Sequence, residues 1–363
     1  MQAAVFLGSE ESFTQELRAN YSGDQANGVM GLYFFDIESE NSGLGTFFGM
    51  PFASVGAQDV RNYAVFGELE YQFGENWTVI AGSRYDYEER ENGSQFTFTE
   101  ELPTPTITDT SYSAFLPKLA VVYNWSEDMS TGFTIQKGYR AGGSSQNAGG
   151  DISEWDPEFT TNYELSHRSV LLENKLSANA NIFFTQWKDM ISSINPRDPV
   201  TGDIDFLRSF TTNASEAEYY GAELELRYQA SDWISMFTSI GYLQSEFTDF
   251  VTNETVYTGN EFPDSPEWSG SMGADLEFDN GIFGDLVVSY SEASFNDQSN
   301  DLNFSAESHV LVDLSLGYRK EWWSFRLYAR NLFDRDFVTG RRTATTIFVN
   351  EPRVLGASFS ASY

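Results

Sequence analysis

The chain has 363 residues, no cysteine, two histidines, and a formal charge of −33 from 21 basic and 54 acidic residues. Disulfides and thiolate metal sites are therefore excluded. His167 and His309 alone argue against a histidine metal centre, and nucleic acid would be repelled, because it is bound through a basic footprint.

Aromatic residues make up 16% of the chain, with 19 Tyr, 8 Trp and 31 Phe, a load that belongs at interfaces or girdles. No run of 18 apolar residues exists, so no transmembrane helix is expected. A spanning strand needs only about 9–11 residues, alternate ones polar. The opening "MQAAVFLGSEESFTQELRAN" lacks the basic start and apolar core of a secretion signal.

Period two dominates from residue 13 onward. Strands are predicted over 13–21, 28–39, 62–73, 77–89 and 111–123. The stretch "VVYNWSEDMSTGFTI" at 121–135 then turns, through a short acidic segment, into 129–140. Next come 161–171 and 176–189, where Leu176, Ala178, Ala180, Ile182 and Phe184 oppose Ser177, Asn179 and Asn181. Strand 217–229 sets Tyr220, Ala222, Leu224, Leu226 and Tyr228 against Gly221, Glu223, Glu225 and Arg227. Strands 233–247, 267–277, 284–292, 309–318, 323–331 and 354–363 complete a set of about fifteen. In the last, Leu355, Ala357, Phe359, Ala361 and Tyr363 share one face.

The gaps alternate. "SGDQAN", "GEN", "NWSED", "LENK", "QASD", "FDNGIF" and "RKEW" are short, several with Trp or Tyr at the edge. The others, roughly 40–61, 90–110, 141–160, 190–216, 248–266, 293–308 and 332–353, are long. A spanning antiparallel barrel keeps that order, with short turns on one side of the membrane and long loops on the other. Its apolar face meets lipid, and its polar face lines a lumen. Closure pairs every backbone group. A soluble antiparallel sheet with one wet face is the competing reading for two or three strands. Fifteen strands with ordered loops point to the all-β outer-membrane barrel, and the chain end resembles the aromatic-ended last strand that the assembly machinery reads: Phe359 and Tyr363 fit it, while Ala361 is small.

Four segments resemble the barrel of TonB-dependent outer-membrane receptors: "FLPKLAVVYNWSEDMSTGFTIQKGYRAGG" (115–143), "DPEFTTNYELSHRS" (156–169), "ARNLFDRDF" (329–337) and "NEPRVLGASFSASY" (350–363). The resemblance covers most of 13–363. Gly138, Gly142 and Gly143 suit a strand end that releases the chain into a loop. Pro157 precedes a strand, where a missing N–H costs little. Asn331 to Asp334 suit a turn. The family's usual Gly after "NYEL" is replaced by Ser166 and His167, and His167 is read as lumenal or loop-edge. The resemblance implies a plug domain, a coupling box and a barrel of about 22 strands. Residues 1–363 are thus expected to be the C-terminal portion of the barrel, with the plug and the signal peptide missing. A self-sufficient porin of 14 or 16 strands is the alternative.

The family further implies energised uptake of a scarce nutrient, most often a ferric siderophore. The partners would be outer-membrane lipid, the barrel assembly machinery and the TonB complex. Ligand capture belongs to the outer loops. Acidic loops leave an anionic ligand in need of local compensation, for which Arg140, Arg208, Arg341 and Arg342 are the candidates. Trp155, Phe206 and Phe348 are candidate stacking surfaces. The loop carboxylates match no metal-loop spacing and read as solvated. No catalytic set emerges, since Ser166 and His167 are strand neighbours on opposite faces. No phosphate loop, zinc helix or cofactor motif is found.

Overall fold

The computed structural model describes residues 4–47, 49–147, 149–194, 196, 208–213, 216–252, 255–341 and 347–362. Fifteen strands form one sheet in which each neighbours the next in sequence, all antiparallel. They are β1 (Ala4–Ser22), β2 (Ala26–Phe47), β3 (Met50–Phe73), β4 (Trp77–Thr97), β5 (Thr106–Ser126), β6 (Met129–Arg140), β7 (Glu158–Leu171) and β8 (Leu176–Lys188). Then follow β9 (Glu216–Ser231), β10 (Ile234–Asp249), β11 (Trp268–Glu277), β12 (Ile282–Ser291), β13 (His309–Lys320), β14 (Trp323–Arg330) and β15 (Val354–Ala361). Each falls on one predicted strand. Among the described residues, β1 and β15 are not paired to each other.

The register produces the two faces. Leu17, Leu32, Val65, Tyr85 and Phe115 stand directly opposite one another across β1–β5. Ile182, Leu165, Phe133, Val121 and Val79 continue the same kind of row. Most of these side chains are exposed, as lipid contact requires. The reverse face carries Asn179, Glu225, Ser239, Ser271 and Ser289 in one row. It also holds the buried Asn62, Asp86 and Thr185, and it is the lumenal side.

Short turns and girdle coincide. Trp77 and Tyr123 lie 4.7 Å apart, Tyr123 and Trp125 4.6 Å, and Trp233 stacks on Phe278 at 5.2 Å. Gly281 has φ +92°, and a Cβ there would stand 2.3 Å from the Arg319 carbonyl oxygen, so the 278–281 turn needs glycine. On β3, Tyr63 to Phe73 spans eleven residues, the length of a tilted spanning strand (about 9–11). Tyr63 meets Phe34 at 5.2 Å, and Phe34 meets Phe13 at 6.1 Å, which marks the second girdle.

Two expectations change. The long gaps 40–61 and 90–110 are largely strand, because β2, β3 and β4 run to 22, 24 and 21 residues. Above the outer girdle, the lipid-side face holds Glu11, Glu38, Asp59, Glu91 and Asp109 in one row. Ionised carboxylates so placed belong in water, so apolar alternation stops while backbone pairing continues. His167 is not lumenal. Register aligns it with Thr131, Tyr123 and Trp77 on the lipid-side face, where its Nδ1 lies 2.9 Å from Thr131 Oγ1. Tyr363 lies outside the described residues.

The other long gaps hold small hairpins: Gly143–Gln146 with Ile152–Trp155, Ile191–Ile194 with Phe210–Asn213, and Val338–Arg341 with Ile347–Val349. Two further two-residue pairings are Val251–Thr252 with Thr255–Val256 and Ser294–Phe295 with Ser305–Ala306. An apolar core lies out here: Ile194, Ala217, Phe247 and Phe250 are buried, packed by Trp187, Phe210, Tyr257 and Phe262.

Candidate ligand-binding mouth

On β4, Arg84, Asp86, Glu88 and Arg90 alternate with tyrosine and glutamate in "SRYDYEERE", so period two sends all four to the lumenal face. Arg84 grips Asp86 through two 2.7 Å bonds and lies 4.9 Å from the centre of the Tyr33 ring. Asn62 donates to Glu88 at 3.3 Å, and Arg90 pairs with Glu88. Lower down, Lys118 bonds Glu68 at 2.8 Å. This balanced inner wall is the part of the site that sequence reasoning did not single out, although its alternating charges were the available signal.

Above Lys118 and Gln136 the β5–β6 ladder ends, and the chain after β6 folds back over the wall. The Gln146 N–H donates to Ser94 Oγ at 3.0 Å, and the Tyr112 hydroxyl to the Trp155 carbonyl at 3.4 Å. A Cβ on Gly142 would stand 2.3 Å from that carbonyl oxygen, and one on Gly143 2.8 Å from the Trp155 ring. The "GYRAGG" glycines therefore permit close approach. Asn331 and Asp334 have φ of 49° and 54°, as the turn reading of "NLFD" requires.

The candidate residues fall into two groups. Arg140 is engaged: its guanidinium lies 2.6 Å from Glu158, which is buried and also accepts the Ile191 N–H at 2.5 Å. Trp155 closes the hairpin opposite Gly143, and Arg208 lies beside Gly149 at that hairpin's tip. Arg341 and Phe348 share the last outer hairpin, with Phe348 half-exposed. Phe206 and Arg342 lie outside the described residues. Among the described residues no three carboxylates or histidines converge as a metal site would need. In the 250–267 loop, burial first, and then Glu267 and Glu292, raise the pKa of Glu261 above the usual carboxylate range.

A family model, the TonB-dependent receptor-like β-barrel, matches residues 4–332. The chain belongs to the TonB-dependent receptor family. Its place is accordingly the outer membrane of a Gram-negative cell. It is 24% identical over 334 residues to the pesticin receptor of Yersinia pestis, covering 90% of this chain and 47% of that relative. The chain thus spans about half the length of the curated relatives it matches. The ferric yersiniabactin uptake receptor from Yersinia pestis superposes with TM-score 0.84 at 22% identity, over 100% of this chain and 55% of that one. The siderophore receptor PiuA from Acinetobacter baumannii gives 0.77 at 16%, over 98% and 56%. In this TonB-dependent barrel, the alternation of turns and loops is the family's topology.

Proposed function

We propose that the chain forms most of the barrel of a receptor that takes a scarce nutrient, most simply a ferric siderophore, across the outer membrane. The observation that carries this reading is its likeness, along the whole chain, to a ferric yersiniabactin uptake receptor. The remaining strands and a plug domain would come from the rest of the protein, and the TonB complex would energise release through that plug. The work is binding and transport, with no covalent step. At the mouth, Trp155 and Phe348 supply stacking surface for the chelate, and Phe206 stays a candidate from the sequence alone. Arg208, Arg341 and Arg342 offset the −33 charge toward an anionic ligand.

Uptake of radiolabelled iron, presented as a panel of ferric siderophores to iron-starved cells, tests this. Loss of uptake of one chelate on deletion of the gene is expected, and unchanged uptake of every chelate would overturn the siderophore reading. Intact mass from the outer-membrane fraction tests the domain reading. A species about twice the 40.9 kDa of this chain is expected, and one at 40.9 kDa would sink it.

A further inference from the structure

The five outer loops after β6 are tied to one another. The device recurs: an asparagine side chain reaches into the neighbouring loop and bonds its peptide as a strand residue would. The Asn213 amide accepts the Asp156 N–H at 2.7 Å and donates to the Asp156 carbonyl at 2.8 Å and the Asp189 carbonyl at 2.7 Å. Two loops away, Asn300 accepts the Glu261 N–H at 2.6 Å and donates to the Glu261 carbonyl at 3.0 Å. Asn296 donates to Asp264 at 2.8 Å and accepts the Arg341 N–H at 3.0 Å.

These ties join end to end. The lumenal wall holds the 141–157 loop through Ser94 and Tyr112. Asn213 passes the connection to the 189–215 loop. The core around Phe247 and Phe250 joins that loop to 250–267, and Gln298 joins it to 292–308 by donating to the Ser193 carbonyl at 3.3 Å. Asn300 and Asn260 close the pair 250–267 and 292–308. Asn296 and Glu307 reach the last loop, where the Glu307 N–H meets the Val338 carbonyl at 2.9 Å and His309 stacks on Phe337 at 4.0 Å.

We infer that this collar is a preformed rim, assembled before any ligand arrives, with Asn213 and Asn300 as its positioning residues. Each side-chain amide satisfies both the N–H and the C=O of one residue in the adjoining loop. Removing it orphans both groups, so the loops lose mutual order rather than a single contact. A rim of this kind fixes the mouth by bonds within the chain, which keeps the ordering cost off the binding step. The inference does not depend on which ligand the mouth takes.

The test is hydrogen exchange on the full-length, ligand-free receptor in lipid nanodiscs. Protection is expected at the Asp156, Glu261 and Arg341 amides, and at Thr211, whose N–H donates to Ser153 Oγ of the 141–157 loop at 3.4 Å. In Asn213→Ala, exchange at Asp156 should rise about tenfold or more, and exchange in the 250–267 and 292–308 loops should rise with it. Asn300→Ala should act in the reverse direction along the same chain. Heat-modified gel migration confirms that each variant still forms its barrel. Unprotected loops in the wild type, or effects confined to the mutated loop, would overturn the proposal. A second measurement avoids those variants. The chain has no cysteine, so spin labels at Asp151 and Leu302 report one distance across the collar. A single narrow distribution without ligand is expected, and a broad one that narrows only with ligand would overturn the proposal.

Discussion

The five strands β1–β5 and the ten that follow solve the same problem differently. Both must leave the bilayer at the outer surface and hold their ends in water. The first five keep their backbone ladders: β3 has 24 residues, about 80 Å at about 3.3 Å per residue, and more than half of it lies beyond the spanning stretch. The later strands are shorter, down to eight residues in β14 and β15, and above them the chain is held by side chains bonding main chain. A ladder needs no particular residue once register is set. A collar needs named ones. Substitutions should therefore be tolerated in the tall wall and not in the rim.

The largest effect expected breaks the wall where it meets lipid. Leu69→Arg puts a charge on the lipid face midway between the girdles and should cost about 2–4 kcal/mol in urea unfolding from vesicles. Asp59→Arg, ten residues up the same face, should stay within about 0.5 kcal/mol. Equal costs would mean that the girdle is misplaced. Next, Arg140→Ala leaves Glu158 buried without its cation and should cost about 1–3 kcal/mol, read as faster proteolysis of the 141–157 loop with the barrel intact. Gly281→Val should cost about 1–3 kcal/mol, because it forces a β-branched side chain into a left-handed turn against a carbonyl oxygen.

The smallest effect is a matter of pH. The raised pKa of Glu261 means that protonation favours the folded loop. Its contribution is full below the unfolded carboxylate range and is lost as pH rises through the folded value. Glu261→Gln should therefore slow exchange in the 250–267 loop at neutral pH and change little in acid. A loop whose exchange in the variant equals wild type at neutral pH would remove burial as the cause.

The fold was legible because lipid enforces a simple code. Every strand that touches lipid must alternate, and fifteen did. The ends of β2–β4 escaped the same reading, because "DIESENSG" has no apolar face for the code to act on, yet the ladder from Val60 upward persists. The lumenal alternative for His167 failed for a related reason. Alternation gives two faces, and a polar residue was assigned to the polar one, whereas the lipid-side girdle also admits residues with polar tips. Among the site residues, Arg140 could be read as a strand-end cation, but its pairing with Glu158 and its 3.3 Å bond to the Ile191 carbonyl join residues far apart in the chain.

By itself, then, the sequence determined that this chain is a spanning β-barrel wall, which strands build it, which face meets lipid and where the short turns lie. Those features follow from local alternation against a uniform solvent, so each strand carries its own instruction. Tertiary structure alone decided that five strands stand far above the membrane, that charged residues pair along the inner wall, and that asparagines on separate loops join into one rim. Those depend on which residues register brings together across dozens of positions, and no local pattern records that.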